Sequence, residues 1–229
     1  MIDDWRSKWF YGTDKLTEPE FPFGFVQLSA NGNDPVIADG FTVIRWAQTA
    51  DYGYVPNLRE QNVFMAVAMD LGNASSPYGS VHPNDKQDVG YRLALAGRAV
   101  AYGDLDVYYS GPIVTDVSLT WMANTTTWLA TVKYQHESVG MGGIEVRSDH
   151  GFEYYCTTVD PTQSKITQAK IVSNGFNSLG LTGYCPMRYI LKGIRYAWYT
   201  KPCEFKKCAV YSKENELPGP PFTWNAPVN

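Results

Sequence analysis

The sequence predicts an α/β chain in two parts, a doubly wound parallel sheet within residues 1–110 and a β-sandwich within 111–229. Two observations carry that prediction. Up to about residue 108, apolar strand-like runs alternate with segments of helical period, as they do where crossover helices join parallel strands. After Gly111-Pro112 the helical period stops, and short alternating runs separated by Asn, Gly, Asp and Pro turns replace it.

Each element follows from local pattern. Ile2, Trp5 and Trp9 share one face, as at the tail of an amphipathic helix. Residues 21–29 read as a buried strand, with Gly24 permitting close approach of a neighbour. The turn-rich loop 31–35 follows, and then Val43, Ala47 and Ala50 recur at helical spacing until Pro56-Asn57 ends the segment. Residues 63–69, Val-Phe-Met-Ala-Val-Ala-Met, form a continuous apolar run of the kind a strand shows when both faces are covered. Val89, Leu93, Ala96 and Val100 define a helix over 85–102. Asn84 is placed to cap it, Gln87 to complete a capping box, Asp85 and Asp88 to suit its positive end, and Gly103 to stop it. Further strands are predicted at 113–121, 128–134, 152–157, 165–172 and 188–198. The proline-rich residues 217–222 should lie extended against a neighbour.

Composition narrows the function classes. A chain of 229 residues, 44% hydrophobic and 18% charged, folds and can bury one large core or two modest ones. A net charge of −4 gives no electrostatic footprint for nucleic acid or an anionic membrane. No apolar run approaches the roughly 18 residues of a membrane span. Four cysteines, Cys156, Cys185, Cys203 and Cys208, allow three pairings. The C-x4-C spacing makes Cys203–Cys208 the natural small ring, which leaves Cys156–Cys185. Zinc is the competing reading, but no histidine stands near them at ligand spacing, so neither metal nor cofactor is expected. Sequons at Asn73 and Asn124 join the cysteines in pointing to an oxidising, lysosomal or secreted setting. The acidic, amphipathic residues 1–6 are no signal peptide, so the sequence is expected to begin partway through a longer protein.

The most informative stretch is Tyr78-Gly79-Ser80-Val81-His82-Pro83-Asn84-Asp85-Lys86-Gln87, which sets a histidine in the loop between a buried strand and a helix. Loops just past strand C-termini are where open α/β sheets place their chemistry, although a surface histidine can also simply precede a helix. Asp70-Leu71-Gly72, Ser80 to Gln87 and Tyr91-Arg92-Leu93-Ala94 together resemble the catalytic-histidine block of the sialate O-acetylesterase family, serine esterases of the SGNH-hydrolase type. Residues 21–28, 44–57, 99–103, 195–198, 202–208 and 217–222 resemble that family as well, so the likeness spans nearly the whole chain.

The resemblance implies that residues 1–110 are the C-terminal part of an SGNH hydrolase domain and that the substrate is an O-acetylated sialic acid. It implies that His82 is the base that takes a serine proton and returns it to the departing sugar hydroxyl. Many SGNH enzymes carry an aspartate three residues before the histidine, where this chain has Gly79. Asp70, at the strand end, is therefore a candidate third member. Asp85 is better suited to capping the helix, and a backbone carbonyl of Gly79 or Ser80 could orient the ring instead.

The family's nucleophile sits in a G-x-S-type turn, and no such turn occurs here. Ser80 is too close to His82 to serve it, and Ser148-Asp149-His150 is a polar turn whose neighbours cannot fold into a triad. The likeness thus begins near the middle of the catalytic domain, and the missing N-terminal half is the expected partner. The alternative is a non-catalytic homologue serving as a carbohydrate or protein interaction module. Arg45, Gln48 and Asp51 either supply buried hydrogen bonds or border an acyl or sugar pocket. Tyr52, Tyr54 and Tyr78 either join the core or stack on a sugar.

Overall fold

In the computed structural model, which describes residues 1–33, 40–123, 127–160 and 163–225, helix and strand alternate through the first half. The order is α1 (Ile2–Gly12), β1 (Phe23–Val26), α2 (Gly40–Ala47), β2 (Val63–Ala66) and α3 (Lys86–Tyr102). β1 and β2 pair in parallel, with Phe23 opposite Val63 and Val26 opposite Ala66. Among the described residues these two strands are the whole of the parallel sheet. β1 is shorter than the predicted 21–29 because past Gln27, whose N–H still reaches Ala66 O, the chain turns to side-chain partners. Gln48 Nε2 donates to Val26 O, and Gln48 Oε1 accepts from Leu28 N at 2.9 Å.

α3 lies against this pair through Phe64. A Cβ at Gly24 would sit 2.3 Å from the Phe64 ring and one at Gly97 would sit 3.4 Å from it, so both glycines are set by that one aromatic. Of the two caps the sequence offers, the structure uses the second. Asp85, not Asn84, accepts the Asp88 N–H, at 3.0 Å. Asn84 and Asp85 are both competent caps, and the helix start at Lys86 selects the nearer one. Gly103 ends the helix in the left-handed region at φ 70°, as its position predicts.

The remainder is β3 (Val114–Met122), β4 (Thr127–Tyr134), α4 (His136–Val139), β5 (Ile144–Val146), β6 (Phe152–Thr157), β7 (Ser164–Asn174), β8 (Ser178–Gly183), β9 (Ile190–Tyr196), β10 (Val210–Ser212) and β11 (Phe222–Asn225). The strands predicted after residue 111 are present, but they do not pair as two separate sheets. With β8 and β11, which the sequence did not predict, those five form one antiparallel sheet in the order β11-β9-β6-β7-β8-β4-β3, and β5 and β10, also unpredicted, make a separate pair. The reason is the length of β7, eleven residues. Its residues 164–169 pair with β6 and residues 170–174 with β8, so one strand serves both halves. The halves fold over a common interior. Tyr154 on β6 reaches across to donate to Trp128 O of β4 and Leu181 O of β8 at 3.3 and 3.2 Å.

Both expected disulfides are present. Cys156–Cys185 links β6 to the segment after β8, and Cys203–Cys208 closes a short loop. The proline-rich residues 217–222 are buried as an extended strap. Gly219 N donates to Val210 O, and Gly111 passes so close that a Cβ there would lie 2.2 Å from Pro218 O. Val63, Met65, Val67 and Met69 share one buried cluster with Tyr134, Phe152, Tyr154, Tyr196 and Tyr211, so a single core runs beneath both parts. Among the described residues no helix is long and apolar enough to cross a membrane.

Candidate active site around His82

Two loops leave the C-terminal ends of the parallel strands, and each braces the other. After β1, Gln27 N extends the ladder to Ala66 O at 2.9 Å. Ala30 then packs on Gly72, where a Cβ would be 2.6 Å away. After β2, residues 73–82 run through successive tight turns: Ser76 N bonds Asn73 O, Gly79 N bonds Ser76 O, and His82 N bonds Gly79 O at 3.0 Å. Gly79 has φ 95°, a conformation that suits glycine. Ser80 joins the loops by donating from Oγ to Asn31 Oδ1 at 2.5 Å while accepting from Gly32 N at 2.8 Å. His82 is thus held by its backbone, with Pro83 buried behind it and its imidazole exposed.

Asp70 is placed differently from the histidine. Its carboxylate is buried and forms a two-point ion pair with Arg92, at 2.6 and 3.0 Å, while Tyr211 Oη donates to it at 2.8 Å. Arg92 also donates to Val67 O at 2.7 Å. Burial works against the Arg92 charge, but hydrogen bonding to Asp70 and its negative charge outweigh that and raise the Arg92 pKa. The Tyr211 phenol is pushed far up by burial and by the same carboxylate. The bonds to the Asp70 carboxylate therefore come from α3 and β10, and the imidazole supplies none of them among the described residues.

Asp85 sits below the ordinary carboxylate range, chiefly because it accepts the Asp88 N–H, with Lys206 contributing. That lysine, on the Cys203–Cys208 loop, pairs with Asp88 and stands 3.4 Å from Asp85 Oδ2. A cleft of about 390 Å³ opens between this loop and the histidine loop, lined by Gly72, Asn73, Asn84, Lys201 and Phe205 among others.

Of the remaining sequence candidates, Arg45 and Gln48 take structural roles. Arg45 is buried, and its guanidinium donates to Leu28 O, Ser29 O, Tyr199 O and Thr200 O at 2.7–2.9 Å. Together with Gln48 it stitches the post-β1 loop to residues 199–200. Asp51 lies in a left-handed turn at φ 67°, Tyr52 and Tyr54 pack edge to face, and Tyr78 is exposed. Ser148, Asp149 and His150 form a surface turn, with His150 Nε2 and Asp149 Oδ1 3.3 Å apart. The Asn73 sequon is used in a local turn, and Asn124 lies outside the described residues. No group of three His, Cys, Asp or Glu side chains suited to a metal occurs among the described residues.

Sequence reasoning missed Arg92, Tyr211 and Lys206. Arg92 was findable, because it falls on the apolar face of α3 between Val89 and Ala96, where an unpaired charge could not be buried. Gln27 is fully buried with no partner for either side-chain polar atom among the described residues, and Ser29 Oγ beside it has none.

Residues 120–226 match the sialate O-acetylesterase C-terminal domain. Sialate O-acetylesterases of Homo sapiens and Mus musculus are 38% and 40% identical to the chain over 224 and 226 residues. Those alignments take in 97% of this chain but 40% and 39% of the relatives, so the chain spans about two fifths of their length. In fold it is similar to a carbohydrate acetylesterase from Xanthomonas citri, with a TM-score of 0.66 at 22% identity, covering 97% of this chain and 46% of that one.

Proposed function

The chain belongs to the sialate O-acetylesterase family, matching the C-terminal portion of its members, and from that premise we propose that it supplies the histidine side of a serine esterase acting on O-acetylated sialic acids. The observation that carries the reading is the identity of about two residues in five over 97% of the chain.

In this reading residues 1–110 are the C-terminal part of the SGNH domain, and β1 and β2 continue a sheet begun by a preceding segment. That segment brings the serine and the oxyanion donors. A free imidazole ionises at a pH of about 6.5, so this side chain type can both accept and return a proton near neutrality. His82 takes the serine proton as the ester carbonyl is attacked. It then protonates the departing sugar hydroxyl and later activates the water that frees acetate. The exposed imidazole on a braced backbone suits a base whose partner arrives from another part of the fold. A carbonyl of Gly79 or Ser80 orients the ring, since a carbonyl oxygen can accept a second bond. Asp70 acts at one remove, anchoring the strand end through Arg92 and Tyr211. The two disulfides support an oxidising, lysosomal or secreted setting.

The complete gene product assayed on an O-acetylated sialic acid, with and without His82→Ala, tests this. Turnover that falls by about ten-thousandfold to a millionfold, the range of losses that follow removal of a triad member, is expected. Equal turnover in both would exclude His82 as the base. The absence of a G-x-S turn favours a second reading, a non-catalytic interaction module, for any form of the protein confined to these 229 residues.

A further inference from the structure

We infer that Lys206, on the loop closed by Cys203–Cys208, is a positioning residue for His82, so that the C-terminal β region helps set the catalytic histidine. The inference rests on the esterase reading above.

Lys206 reaches two separate points on the histidine loop. Its backbone N–H donates to Asp70 O at 2.9 Å, at the start of the loop that carries His82. Its side-chain ammonium pairs with Asp88 and approaches Asp85 Oδ2 to 3.4 Å, at the end of that same loop. Asp85 caps α3 three residues after His82. One residue from the far end of the chain therefore clasps both ends of the histidine loop.

The clasp is itself held. Lys206 adopts φ 56°, a conformation unfavourable for a lysine unless its surroundings impose it. The Cys203–Cys208 bridge closes the loop around it, Lys207 N bonds Glu204 O at 2.9 Å, and Lys201 pairs with Glu204 at 2.6 Å. Asp70, the other anchor, is fixed by Arg92 and Tyr211. The charges line up as well. Asp85 at the N-cap and Asp88 in the first turn suit the positive end of α3, and hydrogen bonding to Asp88 raises the Lys206 pKa, so the ammonium persists throughout the working range.

The Lys206 side chain is 38% exposed, and half-exposed pairs of this kind contribute little to global stability. Its loss should therefore loosen the loop without unfolding the protein. A catalytic base displaced by about 1 Å can cost on the order of a hundredfold in rate.

The test compares Lys206→Met and Lys206→Arg in the complete gene product by hydrogen exchange and by kinetics on an O-acetylated sialic acid. Lys206→Met should speed exchange selectively across residues 79–88. It should lower kcat roughly tenfold to a hundredfold with KM within about twofold, and Lys206→Arg, which keeps the charge, should recover most of both. Unchanged exchange at 79–88 would overturn the clasp. Equal loosening of β6 and β9 would reduce Lys206 to a general stabiliser, and a loosened loop with unchanged kcat would remove its positioning role. If the wild-type protein shows no ester turnover, the esterase reading fails, while the exchange data still decide the clasp.

Discussion

Arg92→Met should be among the most destabilising single changes in this protein. The Arg92 and Asp70 side chains are 6% and 0% exposed and share two hydrogen bonds at 2.6 and 3.0 Å. Removing one partner of such a pair leaves a charge in a site that water does not reach, which costs about 3–5 kcal/mol. The bond from Tyr211 Oη stays and offsets part of that, so a loss near the lower end, about 3 kcal/mol, is expected. The double variant Asp70→Asn/Arg92→Met carries no buried charge, and the introduced amide oxygen can still accept from Tyr211. It should therefore be more stable than Arg92→Met alone. Equilibrium urea denaturation of wild type, both single variants and the double variant gives the coupling directly, and a value of about 1.5 kcal/mol or more is expected for groups in contact. A loss below about 1 kcal/mol for Arg92→Met, the range of a solvent-screened surface pair, would show that the pair is not a buried one in solution.

Other outcomes can be checked separately. Non-reducing peptide mapping should return Cys156–Cys185 and Cys203–Cys208. Removing the first, whose cysteines are 29 residues apart, should cost roughly 3–4 kcal/mol on the chain-entropy model, and removing the second, with a separation of 5, only about 2. The Tyr199 phenol, raised to about 12 by burial and by its bond to the Glu153 carboxylate, should stay protonated when an unfolded tyrosine ionises near 10. Its contribution to stability is therefore complete below pH 10 and lost as pH rises through 12. Wild type should lose stability relative to Tyr199→Phe across that window in alkaline denaturation followed by circular dichroism. The 229 residues alone should hydrolyse an acetyl ester no faster than their His82→Ala variant. Without a serine beside the imidazole there is no acyl-enzyme route, and serine-type turnover sensitive to His82→Ala would contradict this.

Much of the fold was legible because its signals are local. The apolar run at 63–69, the period of Val89, Leu93, Ala96 and Val100, and Gly103 at the helix stop each act within a few residues. The cysteine pairing followed from spacing alone. What escaped depends on contacts distant in sequence. Nothing within residues 164–174 tells that one half of β7 pairs with β6 and the other with β8, because pairing partners are set by contacts distant in sequence. Asn84 and Asp85 were both offered as caps, and the structure uses Asp85. Asp70 is a candidate triad member in sequence, and its bond to Tyr211, 141 residues away, is invisible there. Arg45 and Gln48 are polar residues in an apolar segment, and only the path of the post-β1 loop and of residues 199–200 reveals what they bind.

The single core beneath both parts bears on how the chain can be cut. The segment after α3, around Leu105, is exposed and joins the two regions. Severing it would break one covalent link and leave untouched the packing of Met65 and Val67 on the β region, the Asp70–Tyr211 bond, the Arg45 stitch to residues 199 and 200, and the Lys206 clasp. A protease acting there yields a nicked particle that elutes whole and separates only in denaturant. The same cut made in the gene yields two polypeptides, each with a raw apolar face that only the other can cover.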